Sequence, residues 1–157
     1  MLNILLVYTS MTGNTEEMAD TMADTLKKHK DINLTFMDII DEEPENLNQY
    51  DAILIGSYTW SGGTVPDEIL DFYDELEEQD LSNQVVAAFG AGDSIYPEFC
   101  TALDEFLEQA EESGAAIPFK PIKADMEAEP EDLQNCQQLA ENVYHYLTDP
   151  NTYQASS

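Results

Sequence analysis

The sequence predicts an α/β fold: one doubly wound, five-stranded parallel sheet with helices on both faces. Three observations predict it: short unbroken apolar runs, longer amphipathic segments, and their regular alternation. The runs occupy residues 4–8, 34–37, 52–55 and 85–89, with a weaker one across 115–122. They lack the in–out alternation of a one-sided sheet and therefore suit strands covered on both faces.

The intervening segments repeat apolar residues at i, i+3, i+4 and i+7, the signature of a helix with one buried stripe. Met18, Met22 and Leu26 form the first stripe, and Ile69, Phe72, Tyr73 and Leu76 the second. Phe99, Leu103, Phe106, Leu107 and Ala110 form the third. Leu133, Cys136, Leu139, Ala140, Val143 and Leu147 form the last. Residues 44–49 are short and polar, with room for one or two helical turns. Strand–helix alternation of this kind builds a parallel sheet, whose ligands bind beyond the carboxyl ends of the strands. The loops after strands one, three and four are thus the places to look. Residues 1–148 read as one domain and 149–157, small and polar, as a loose tail.

Composition narrows the partners. The 157 residues carry 33 Asp and Glu against 5 Lys and no Arg, a formal net charge of -28. Such a surface repels nucleic acids and anionic lipid and attracts basic protein patches. Solubility in a salty cytoplasm is a second reason for the same charge, and the two are compatible. Cys100 and Cys136 form no CxxC pair and sit at apolar helical positions, which points to buried structural thiols. No basic segment precedes the first apolar run, and no apolar stretch approaches the roughly 20 residues needed to cross a bilayer. The expected location is a reducing cytoplasm. His29 and His145 fall on polar helix faces, where solvent exposure and no functional role are expected; no metal-ligand cluster is evident.

The loop after strand one reads Thr9-Ser10-Met11-Thr12-Gly13-Asn14-Thr15, and a helix follows directly. The first amides of a helix have no intrahelical acceptor, and the helix dipole favours an anion there. Hydroxyls and an amide can add donors, so the segment predicts a phosphate site made of neutral groups. Simple capping by Thr12 or Asn14 needs one such residue, not five in seven. Neither a P-loop nor a GxGxxG fingerprint is present. Glu16 and Glu17 suit the dipole and are expected to point away from a phosphate.

The loop after strand three contains Ser57, Tyr58, Thr59, Trp60, Ser61, Gly62 and Gly63. Trp60, the sole tryptophan, stands outside any apolar run, as a stacking partner for a flat ligand would. The loop after strand four contains Ala91, Gly92, Asp93, Tyr96, Phe99 and Cys100. Its small residues permit close backbone approach to a planar ring. Tyr96 precedes Pro97, which biases it away from helix, and Pro97 suits the first turn of the next helix.

Together these motifs resemble flavodoxins of the short-chain type. S-x-T-G-N-T at residues 10–15, with Met18 and Ala19 in the helix, resembles the FMN phosphate loop, and G-x-G-D-x-x-Y at residues 90–96 resembles the family's third loop. The resemblance reaches about residue 147. It implies strand order 2-1-3-4-5, a single FMN held non-covalently, and one-electron transfer at low potential. It implies that Trp60 and Tyr96 stack on opposite flavin faces and that Asp93 bonds the ring edge or orders its loop. It also implies that the peptide after Trp60 turns over when the flavin takes up one electron. Gly62 would supply the positive φ such a turn needs. Relatives often carry glycine at the position of Ser61, followed by an acidic residue, and this chain departs from that.

Asp38, Asp67, Asp93 and Glu98 are expected near the cleft, where they would disfavour an anionic reduced flavin. The implied partners are transient and basic: flavodoxin reductase-type donors, linked to NADPH or pyruvate, and acceptor enzymes. A monomer with no nucleic-acid or membrane partner is expected. The nearest rival is an FMN-dependent reductase of the same fold acting on a quinone or a protein. A phospho-accepting receiver domain fits poorly, because strand one ends in Thr9 and strand three in Gly56 and Ser57, where acidic residues are required.

Overall fold

The computed structural model describes residues 1–42, 44, 46–59, 65–97 and 99–149. Five parallel strands, β1 (Leu2–Tyr8), β2 (Ile32–Asp38), β3 (Ala52–Gly56), β4 (Val85–Gly92) and β5 (Ile122–Asp125), form one sheet in the order β2-β1-β3-β4-β5. Four helices connect or follow them: α1 (Asn14–Lys27), α2 (Leu70–Glu78), α3 (Thr101–Glu112) and α4 (Pro130–Thr148).

Successive strand side chains point to opposite faces, so each central strand feeds two cores. Leu5 and Val7 of β1, with Ile53, Ile55, Val86 and Ala88, pack against Ile69, Phe72, Leu76, Leu103 and Phe106 of the α2–α3 side. Ile4 and Leu6, with Leu54, Ala87 and Phe89, pack against Met18, Met22, Leu26, Cys136, Leu139 and Val143 of α1 and α4. The helical stripes read from the sequence are these contact surfaces. Phe72, Phe89 and Phe106 are among the largest fully buried side chains.

The structure departs from the sequence reading at several edges. The fifth strand is not one run across 115–122. Ala116 makes an isolated bridge to Val85, and the paired strand begins only at Ile122. Pro118 and Pro121 fall between and remove two backbone donors, which interrupts the ladder. Pro97 does not open α3: the helix begins at Thr101, and Cys100 before it is left-handed at φ 54. As expected, the polar stretch near 44–49 holds a single turn among its described residues, the 3-10 turn Leu47–Gln49. A second such turn, Asp67–Ile69, carries Ile69 into the core ahead of α2.

His29 is not solvated as expected. The ends of α1 and α4 lie side by side, and its ring stacks on Tyr144 at 3.8 Å with an interplanar angle of 16°. Its Nε2 lies 2.8 Å from Glu141 Oε1. His145 remains exposed, 4.0 Å from the other oxygen of Glu141. Among the described residues no helix is long and apolar enough to cross a membrane.

One glycine ties sheet packing to the loops above it. A Cβ on Gly90 would stand 1.7 Å from the Ser57 carbonyl oxygen, and that stretch of backbone is fixed by the Ser57 amide donating to Phe89 at 3.1 Å. Gly90→Ala is expected to destabilise the protein by about 3 kcal/mol or more, at the upper end of overpacking costs. Urea unfolding measures this.

Candidate functional site

The carboxyl ends of β1, β3, β4 and β5 open into a cleft of about 340 Å³ lined by Met11, Thr12 and Asn14, by Tyr58 and Thr59, by Ala91, Gly92 and Asp93, and by Met126 and Glu127. It lies where the strand order reverses, with β1 the start of windings to either side.

Its first wall is the β1–α1 loop. Gly13 takes the left-handed φ of 92 and turns the chain into α1 without the cost a side chain would bring. Ser10 reaches over the turn, and its Oγ accepts hydrogen bonds from the amides of Gly13 at 3.1 Å and Glu16 at 3.2 Å. This hydroxyl therefore caps the third helical amide. The amides of Asn14 and Thr15, the first two residues of α1, precede the helix's own ladder, whose first bond runs from Glu17 to Gly13. Thr15 is buried, and its Oγ1 accepts the Ala91 amide at 3.3 Å, anchoring the helix start to the end of β4. Glu16 and Glu17 are exposed.

The second and third walls follow β3 and β4. The Thr9 amide donates to Gly56 at 3.0 Å and the Thr59 amide to Ala91 at 3.2 Å, so the first three loops share one backbone network. Two buried hydroxyls lack a partner among the described residues, Thr9 Oγ1 and Thr59 Oγ1. Thr59 lines the cleft, where such a group calls for a polar occupant, whereas Thr9 is fully buried beneath it. Ser57 is fully buried, its hydroxyl donating to the Tyr58 carbonyl at 2.9 Å. The Tyr58 phenol donates to Glu68. Trp60, Ser61, Gly62 and Gly63 lie outside the described residues, as does Glu98.

Asp93 orders its loop by accepting the Ile95 amide at 3.0 Å. Tyr96 is 44% exposed on that loop. Phe99 is half-buried against the α2–α3 core. Cys100 is fully buried below the floor, where a Cβ on Gly92 would come within 2.9 Å of its sulfur. Met11 and Met126 on the lining, and Ile95 on the third loop, are more than half exposed, so the opening has an apolar rim in part.

The fourth wall escaped the sequence reading. Met126 and Glu127 follow β5, and a rule that inspects only the loops after strands one, three and four stops short of them. The signal was present in the general form of that rule, which applies to every strand end. Asp125, at the end of β5, accepts hydrogen bonds from the Ser94 amide at 3.0 Å and from its hydroxyl. These bonds hold its carboxyl below the usual carboxylate range.

All the cations stand elsewhere. Lys27, Lys28 and Lys30 cluster at the far end of α1, Lys120 precedes β5, and Lys123 pairs with Asp104 at 2.8 Å. The cleft thus offers neutral hydroxyl and amide donors at one end and carboxylates at its edge.

The Flavodoxin family model matches residues 6–138. The chain belongs to the flavodoxin family. It is 37% identical over 141 residues to probable flavodoxin 1 of Bacillus subtilis, covering 89% of each chain. Its fold matches the crystal structure of oxidised flavodoxin 1 from Bacillus cereus with a TM-score of 0.83 and 39% identity, over 88% of this chain and 95% of that one. A short-chain flavodoxin associated with a bacterial microcompartment matches with a TM-score of 0.82 and 33% identity, over 90% of this chain and 95% of that one.

FMN is the cofactor of flavodoxins, and the residues present fit it. The α1 amides with Ser10, Thr12 and Thr15 suit a phosphate, the unpartnered Thr59 hydroxyl beside the cleft suits a polar part of the ligand, and the small residues Ala91 and Gly92 on the lining suit a flat ring.

The two buried thiols, Cys100 beneath this floor and Cys136 in the core under α1 and α4, provide a pH test of the packing on both faces of the sheet. Burial pushes both Cys100 and Cys136 up to about 12, whereas an unfolded thiol titrates at about 8.5. The fold favours the neutral thiol, so this contribution to stability is complete below about pH 8.5 and is lost as pH rises toward 12. Urea midpoints should fall between pH 8.5 and 11. At pH 8 neither cysteine should react with a thiol reagent until the protein is unfolded.

Proposed function

We propose that this flavodoxin shuttles single electrons between a basic-faced reductase and acceptor enzymes, using FMN held in the cleft. The observation that carries the reading is the composition of the cleft: neutral donors at the phosphate end, an apolar rim, and carboxylates in place of cations around it.

FMN, when bound, supplies the redox chemistry through its isoalloxazine ring. The chain's own residues set the conditions. The amides of Asn14 and Thr15 and the hydroxyls of Ser10 and Thr12 bind the phosphate without adding positive charge. Asp93 and Glu127 on the lining, and Asp125 beside it, hold a negative potential that opposes further negative charge in the cleft. That field lowers the potential at which the site takes its second electron and so favours one-electron steps. Trp60 and Tyr96 are the proposed stacking partners for the two ring faces. The exposed Met11, Ile95 and Met126 form the part of the rim that a partner would touch. The net charge of -28 would steer basic proteins into a brief, salt-sensitive encounter. A reducing cytoplasm and a monomeric state complete the proposal.

Stepwise reduction of the FMN-loaded protein with dithionite tests the one-electron character. A long-wavelength absorbance that rises to half-reduction and then decays is expected; direct two-electron bleaching would count against the carrier reading. Turnover of NADPH with a quinone and no partner protein would favour the reductase alternative. Electron transfer to a basic c-type cytochrome should slow at least severalfold between 50 mM and 500 mM salt, since the Debye length shrinks to a few Å. A rate indifferent to salt would remove the steering argument.

A further inference from the structure

Asn14 sits at the phosphate end of the cleft, yet its side chain is committed elsewhere. Nδ2 donates to the Met126 carbonyl at 2.7 Å and to Thr12 Oγ1 at 3.1 Å. A carbonyl only accepts, so the nitrogen and not the oxygen of the carboxamide must face Met126. A carboxamide nitrogen has two hydrogens, and both are used. The remaining atom, Oδ1, only accepts, and a phosphate dianion has no proton to give it.

The far end of this link is unusual backbone. Met126 is left-handed at φ 63, and a residue of that kind persists only where its surroundings hold it. Its amide donates to the Gly92 carbonyl at 2.6 Å, and its neighbour Asp125 takes the Ser94 amide. The Asn14 bond therefore closes a chain from the start of α1, through the turn after β5, to the end of β4. Met126 and Glu127 line the cleft because that turn is held there.

We propose that Asn14 is a positioning residue that staples the β5–α4 turn onto the phosphate loop, and that its side chain does not bind the phosphate. The proposal rests on the FMN reading of the cleft. It separates two roles that the same residue type could play. A phosphate donor discriminates FMN from riboflavin; a staple shapes the cleft for both.

The test compares the wild-type chain with Asn14→Ala. Each is freed of flavin and titrated with FMN and with riboflavin, and ligand-free samples are followed by amide hydrogen exchange. The expected result is that both ligands bind more weakly by a similar factor, roughly tenfold for one well-placed hydrogen bond. Exchange should accelerate at Met126 and Ser94 while β1 stays protected. Weakening confined to FMN would make Asn14 a phosphate donor and overturn the proposal. Unchanged exchange at Met126, or exchange accelerated equally throughout β1, would overturn it too. Asn14→Asp, which keeps the shape but replaces the donating nitrogen with an acceptor, should free Met126 as alanine does. If the wild-type chain binds neither flavin, the cofactor reading fails, and the exchange measurements still decide whether the staple exists.

Discussion

The site depends on the placing of a helix start whose first amides must find acceptors. A helix leaves those donors open wherever it begins. Here the parallel sheet forces α1 to begin at the carboxyl edge, beside the ends of β3 and β4. Ser10 takes the third helical amide and Thr15 fastens the helix start to Ala91. The amides of Asn14 and Thr15 thereby stay outside the helix's own ladder, beside a cleft whose other walls are fixed by strand register. Moving β1 by one residue against β3 would turn Thr9 and the loop after it to the wrong face of the sheet.

Much of this was legible because it follows from periodicity and loop chemistry. The unbroken run at residues 4–8 could only be a covered strand, and the hydroxyl-rich segment after it could only serve a helix start. The stripe from Phe72 to Leu76 likewise announced a helix packed on a sheet. What stayed hidden required three-dimensional neighbours. His29 lies among lysines in the sequence, and only the adjacency of α1 and α4 brings it onto Tyr144 and Glu141. Cys100 fits a helical stripe, yet its left-handed backbone puts the helix start at Thr101, two residues after Phe99, where the pattern begins. The prolines that divide the fifth strand were visible, but their effect depends on which β4 carbonyls their missing N–H groups would have met.

Met126 shows the same limit at the site itself. Nothing local distinguishes it from an exposed methionine in an acidic loop. Its importance comes from a positive φ and two long-range bonds, to Asn14 and to Gly92, residues far apart in the chain. Sequence patterns report faces of elements well, and they report poorly on turns whose shape is imposed from outside.

The neutral donors at one end of the cleft and the carboxylates Asp93 and Glu127 on its lining form a single electrostatic arrangement. A lysine at the end of the cleft nearest α1 would bind a phosphate dianion more strongly, but its full charge would also raise the potential over the rest of the cleft. It would then ease the arrival of negative charge there and cancel what Asp93 and Glu127 contribute. Backbone amides avoid that conflict. Their dipoles act at short range on the group they touch and fall off faster with distance than a full charge. On the electron-carrier reading, a chain with a net charge of -28 would hold the phosphate on neutral donors while its carboxylates oppose further negative charge in the cleft. The siting of its lysines follows the same logic, three at the far end of α1 and one paired with Asp104. On the electron-carrier reading, keeping cations out of the cleft matters as much as placing the donors within it.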